Sequence, residues 1–116
     1  LLGDWVASSM ACDLGWHIRL YADVVDYYNA GPVPRARVRA DRMRAYERFD
    51  TIDIRIPRIH SISVDESSGN VQVVIDKEWR FDGPGGSSTG KVKQRLVLTR
   101  VGRELKIAGE KDLAVY

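Results

Sequence analysis

The sequence predicts an α+β fold, with N-terminal helices packed in a strongly curved antiparallel sheet in the order α-α-β-α-β-β-β-β. Three observations carry that expectation. Before Phe49 the apolar residues recur mainly at helical spacing. After Asp50 the period falls to two, with Ile52, Ile54 and Ile56 alternating with Asp53 and Arg55. Helices gathered ahead of consecutive hairpin-linked strands then need one sheet face to cover them, which is the α+β arrangement.

Each element has its own signal. Leu2, Trp5, Val6, Ser9 and Met10 form one stripe of a first helix. Asp13 is the expected N-cap of a second, short helix carrying Leu14, Trp16, Ile18 and Leu20. Residues 24–28 are β-branched and aromatic, which suits a short strand, and residues 29–34, with two prolines and a glycine, read as a loop. A third helix is expected from Pro34 to about Phe49, with Val38, Met43, Ala45, Tyr46 and Phe49 inward. In the next strand Ile62 and Val64 keep the parity of Ile52, and Pro57 calls for a bulge, a bend or an edge position. Residues 65–70 form a turn. Val71, Val73, Ile75, Lys77, Trp79 and Phe81 share one strand face, followed by a flexible hairpin loop over 82–90. Val92, Gln94, Leu96 and Leu98 share the next strand's face, and Gly102-Arg103 turns into a last strand over about 104–115.

Composition narrows the function classes. A chain of 116 residues holds one domain, here 1–116, and is too short for two cores. Net charge is +2, from 18 basic and 16 acidic residues, with the signs interspersed. Arg35, Arg37, Arg39, Arg42, Arg44 and Arg48 are interrupted by Asp41 and Glu47 and spread around a helix. They read as a solvated face, so no nucleic-acid partner is expected. Cys12 is the one cysteine, which excludes an internal disulfide, and it reads as a small buried hydrophobe. No apolar run reaches transmembrane length, so no membrane insertion by this domain is expected. The compartment stays open. The start at Leu1, without methionine, suggests the excised C-terminal domain of a longer protein.

Several stretches carry a resemblance. Tyr21-Ala-Asp-Val-Val-Asp-Tyr-Tyr28 followed by Val33-Pro-Arg-Ala-Arg-Val-Arg-Ala-Asp41, together with Leu96-Val-Leu-Thr-Arg100 after Thr89-Gly90 and Leu105-Lys-Ile-Ala-Gly-Glu110, resembles the nuclear transport factor 2-like superfamily. That superfamily shares its cone with ketosteroid isomerases and polyketide cyclases, and the segments are similar to a bacterial branch of accessory domains. Leu105 stands where the last strand of the superfamily often has tryptophan. The resemblance implies a non-catalytic module that binds a small apolar molecule or a protein partner through its cone or sheet. The alternative it implies is a cyclase- or isomerase-type enzyme with Asp26 as general base and Tyr28, Tyr46 or His60 assisting.

The expected pocket residues are Trp16, Tyr21, Asp26, Tyr28, Tyr46, His60 and Trp79. Against the catalytic reading stands a plainer one. Asp26 is then an exposed strand residue, and the tyrosines pack with their hydroxyls in water. His60 shares the inward parity of Ile62 unless Pro57 shifts the register, and His17 reads as a packing or rim residue. Two distant histidines, one cysteine and scattered carboxylates show no metal-ligand spacing, and the glycines at 83–90 lack the Lys-Ser/Thr of a phosphate loop. No cofactor is expected. The outer sheet face carries Asp53, Arg55, Glu78, Lys93 and Arg95 with Ile59, Val74 and Val97, so pairing of copies through it should be weak and salt-sensitive.

Overall fold

The Asp13 side chain accepts the Trp16 backbone N–H at 3.0 Å, and this cap separates the first two helices as the spacing predicts. The computed structural model describes all residues from Leu1 to Tyr116. Its elements are α1 (Leu2–Met10), α2 (Leu14–Arg19), β1 (Tyr21–Tyr27), β2 (Pro32–Pro34), α3 (Arg35–Arg48), β3 (Thr51–Val64), β4 (Val71–Gly83), β5 (Gly86–Val101) and β6 (Glu104–Val115). The six strands form one curved, unclosed sheet in the order β2-β1-β6-β5-β4-β3. All neighbours are antiparallel except β1 and β6, which run parallel.

β1 starts at Tyr21 rather than at residue 24, and two segments expected to be loops differ as well. The segment expected as a loop over 29–34 ends in an edge strand, β2, where Val25 pairs with Val33 between two prolines. Proline donates no ladder bond, and an edge is where a strand tolerates that. The expected flexible loop over 82–90 is regular strand instead, with register unbroken from Val71↔Leu98 to Gly83↔Gly86 and only Pro84-Gly85 turning. Two of its glycines answer to packing. A Cβ at Gly90 would overlap the Trp79 indole, and one at Gly83 would overlap the Arg48 carbonyl.

The sheet's concave face meets the helices. Trp5, Tyr21, Val25, Val38, Val73, Ile75, Leu96 and Ile107 form the main core. Phe49, Ile52 and Ile54 form a second cluster toward the mouth, with Tyr46, Trp79 and Phe81 against it. Each such side chain, fully buried, contributes about 1.5–3 kcal/mol. The far ends of β3 and β4 run past the helices, so Ile62 and Val64 stay exposed although they face the same side as Val73 and Val71.

β3 keeps that parity by bulging twice. The register shifts between Arg55 and Arg58, across Pro57, and again between Ile59 and Ser61. The first bulge turns the strand over and the second turns it back. His60 is the extra residue of the second, and it points outward.

Candidate functional site

The concave face is not wholly apolar. At its centre lies Glu110 of β6, whose side chain is 0% exposed. Strict alternation from Ile107 would point Gly109 inward and Glu110 out. The ladder instead pairs Leu98 with Ile107 and Val97 with Gly109, leaving Ala108 as an extra residue. That bulge rotates Glu110 into the cone opposite Leu96.

Three side chains converge on the carboxylate. Tyr21 of β1 donates its hydroxyl to Oε1 at 2.5 Å, and Tyr28, just beyond β1, donates to Oε2 at 2.5 Å. Arg42 of α3 donates from Nη2 at 2.8 Å to Oε2 and 3.0 Å to Oε1. The same guanidinium donates to the hydroxyls of Tyr21 at 3.1 Å and Tyr27 at 3.3 Å, and from Nε to His17 Nε2 at 3.3 Å. Trp5 adds an indole N–H to the Tyr21 hydroxyl at 3.0 Å, and Gln94 donates its amide to Tyr28 at 3.1 Å and to Asp112 at 3.0 Å. The Gln94 amide oxygen is buried without a partner.

These partners set the protonation states. Burial alone would raise Glu110, but Arg42, Lys77 and the two tyrosine hydroxyls hold its carboxyl down at about 2. Burial and the Arg42 charge push His17 down to about 3, so its imidazole is neutral. Arginine is only a donor, so His17 Nε2 must accept and Nδ1 carries the proton. That N–H reaches the Ser8 hydroxyl at 2.9 Å, which in turn donates to the Trp5 carbonyl at 3.1 Å. Burial pushes Tyr27 up to about 12 and Tyr21 and Tyr28 well above the usual phenol range.

A cavity opens beside this network. Its mouth, about 280 Å³, is lined by Tyr28, Arg42, Ile54, Lys77, Trp79, Phe81, Val92 and Asp112. A recess of about 80 Å³ continues inward between Trp5, His17, Tyr46 and Ile52, sharing Arg42, Ile54, Lys77 and Phe81 with the mouth. Since a cavity of about 150 Å³ holds one benzene, this space suits a one- or two-ring molecule. A larger open groove of about 630 Å³ lies outside the cone, between α2 and the β5–β6 turn. Its lining of Arg19, Arg100, Arg103, Glu104 and Lys106 is side chain in water, so the cone is the better-built site.

Of the expected pocket residues, the structure brings Tyr21, Tyr28, Tyr46 and Trp79 together in the cone. The Tyr46 hydroxyl is buried there with no hydrogen-bond partner. Three others lie elsewhere. Asp26 is exposed, because β1 turns Val25 and Tyr27 inward and Asp26 away. Trp16 lines the outer groove. His60 sits on the outer sheet face, where Nε2 lies 2.8 Å from Asp76 Oδ1 and Tyr116 donates its hydroxyl to the same oxygen at 2.6 Å. The site residues that spacing did not single out are Glu110, Arg42, His17 and Lys77. Lys77 and Gln94 carry a readable signal, since both share the parity of apolar neighbours. No group of three or more His, Cys, Asp or Glu side chains is placed to hold a metal ion.

A curved sheet wrapped around N-terminal helices, with polar groups pointing into its hollow, is the cone fold of nuclear transport factor 2-like proteins. No protein-family model and no curated protein sequence matches the chain. Solved structures do. A "putative dehydratase from the NTF2-like family" of Streptomyces avermitilis superposes with TM-score 0.81 at 14% identity, over 99% of this chain and 92% of that one. Aln2 of a Streptomyces species gives 0.79 at 14%, over 97% and 84%. A "putative scytalone dehydratase" of Novosphingobium aromaticivorans gives 0.79 at 10%, over 99% and 79%. At such identities the likeness establishes the fold.

Proposed function

We propose that this chain is a small-molecule-binding module whose cone holds a compact aromatic ligand without carrying out chemistry on it. One observation carries the reading: the buried carboxylate and the buried imidazole of the cone are both already engaged. Glu110 accepts on both oxygens and is held ionised, and the two ring nitrogens of His17 are taken by Arg42 and Ser8. A general base needs a free lone pair within reach of the substrate and a pKa near the working pH. Recognition is what remains, with Trp79, Phe81 and Tyr28 as walls and cations at the floor. Such a module suits an accessory domain, and the charged outer sheet face supports only a weak, salt-sensitive pairing of copies.

The enzyme reading keeps one specific support, the dehydratase names of two structural neighbours. It cannot use Asp26, which lies outside the cone. Asp112 at the mouth would have to take that role. Backbone and side-chain NMR with a library of neutral one- and two-ring compounds separates the readings. Shifts confined to Tyr28, Trp79 and Phe81, unaltered by Asp26→Asn and with no turnover of the bound compounds, are expected. Shifts on the outer face alone, or turnover abolished by Asp112→Asn, would overturn the module.

A further inference from the structure

The charges inside the cone do not balance. Arg42 is matched by Glu110, and His17 is neutral. Lys77, projecting from β4 on the face of Ile75 and Trp79, is matched by nothing. It enters no hydrogen bond or ion pair, and its ammonium lies 5.3 Å from the centroid of the Trp5 ring. It lines both the mouth and the recess, so the ammonium faces the space a ligand would fill. The other carboxylate at the mouth, Asp112, is exposed and already accepts from Gln94.

A cation drawn out of water without a counter-charge is costly. Burial accordingly holds the Lys77 pKa below the usual lysine range, even with Glu110 acting to raise it. The side chain has an apolar alternative of similar shape, methionine. The aromatic walls stand on either side of it: Trp79 and Phe81 toward the mouth, Tyr46 and Trp5 toward the recess.

We infer that the cone takes an aromatic anion, a carboxylate or phenolate, whose negative oxygen pairs with Lys77. The inference rests on the reading of the cone as a ligand site and adds the ligand's charge and the residue that selects it. Arg42 holds the ligand's inner end without supplying the charge, because Glu110, Tyr21, Tyr27 and His17 already occupy its donors.

The test is calorimetric titration of the whole chain with cinnamate and with its neutral isostere cinnamamide. Wild type should bind cinnamate about tenfold more tightly, the scale of one charge-assisted hydrogen bond. Lys77→Met should erase that preference and leave cinnamamide binding nearly unchanged, and Lys77→Arg should retain the preference. If the Met variant fails to fold, the wild-type and Arg comparisons still decide. Equal affinity of the two probes for wild type overturns the anion inference and leaves the ligand-binding cone standing. A preference that survives Lys77→Met moves the charge to another cation and also overturns it. Binding of neither probe overturns the cone reading itself.

Discussion

Two carboxylates, one on each face of the sheet, make a natural comparison. Glu110, inside the cone, accepts two tyrosine hydroxyls and a guanidinium. Asp76, on the convex face, accepts the Tyr116 hydroxyl and meets the His60 ring. The bonds are alike in length, so chemistry at the carboxylate does not separate them. Connectivity does. The inner network reaches α1, α2, α3, β1, β5 and β6, and Arg42 on Glu110 is a main polar tie between α3 and the sheet. The outer cluster joins β3, β4 and the end of β6, strands that the ladder already holds in one sheet. Similar contacts thus fasten the cone in one place and decorate it in the other.

That contrast is open to breaking. The largest effect is expected from Glu110→Gln, which leaves the Arg42 charge buried without its counter-ion. A loss of about 3–5 kcal/mol is predicted from urea denaturation, and a loss below about 1 kcal/mol would mean that the network decorates too.

Acid should produce the next largest effect. His17 has an ordinary pKa of 6.5 and a folded one of about 3. Between those values the unfolded chain binds a proton that the folded chain refuses, so stability falls as pH drops. Glu110 adds to the fall between 4.5 and about 2, where its folded carboxylate stays ionised and the unfolded one does not. Each group contributes at most about 1.4 kcal/mol per pH unit within its window. Urea midpoints measured from neutral pH downward should decline first below about pH 6.5, and the decline below about 4.5 should flatten in Glu110→Gln. The smallest effect is expected from Asp76→Asn, which should leave the urea midpoint almost where wild type has it.

How far the sequence discloses all this follows from bulges. Where strands alternate without interruption, as from Val71 to Phe81 and from Lys91 to Leu98, the inward faces are readable, Lys77 and Gln94 included. Where a residue is inserted, parity misleads. His60 shares the parity of Ile62 yet faces outward, and Glu110 breaks the parity of Ile107 yet faces inward, each beside a register shift. Arg42 was hidden for a different reason. It sits in a run of arginines whose other members are solvated, and only the docking of α3 on the sheet tells it apart. Gly83 and Gly90 look like slack in the sequence because the groups they pack against, the Arg48 carbonyl and the Trp79 indole, are set by the fold.

The central claim is that the inner network is committed to structure and recognition, with neither Glu110 nor His17 free for proton transfer. NMR titration of the Glu110 carboxyl and the His17 imidazole tests it most directly. The expected result is a Glu110 carboxylate that stays ionised and a His17 ring that stays neutral, protonated on Nδ1, from neutral pH down to about 4. Titration of either group between about pH 6 and 8 would reveal a base poised for catalysis and contradict the account.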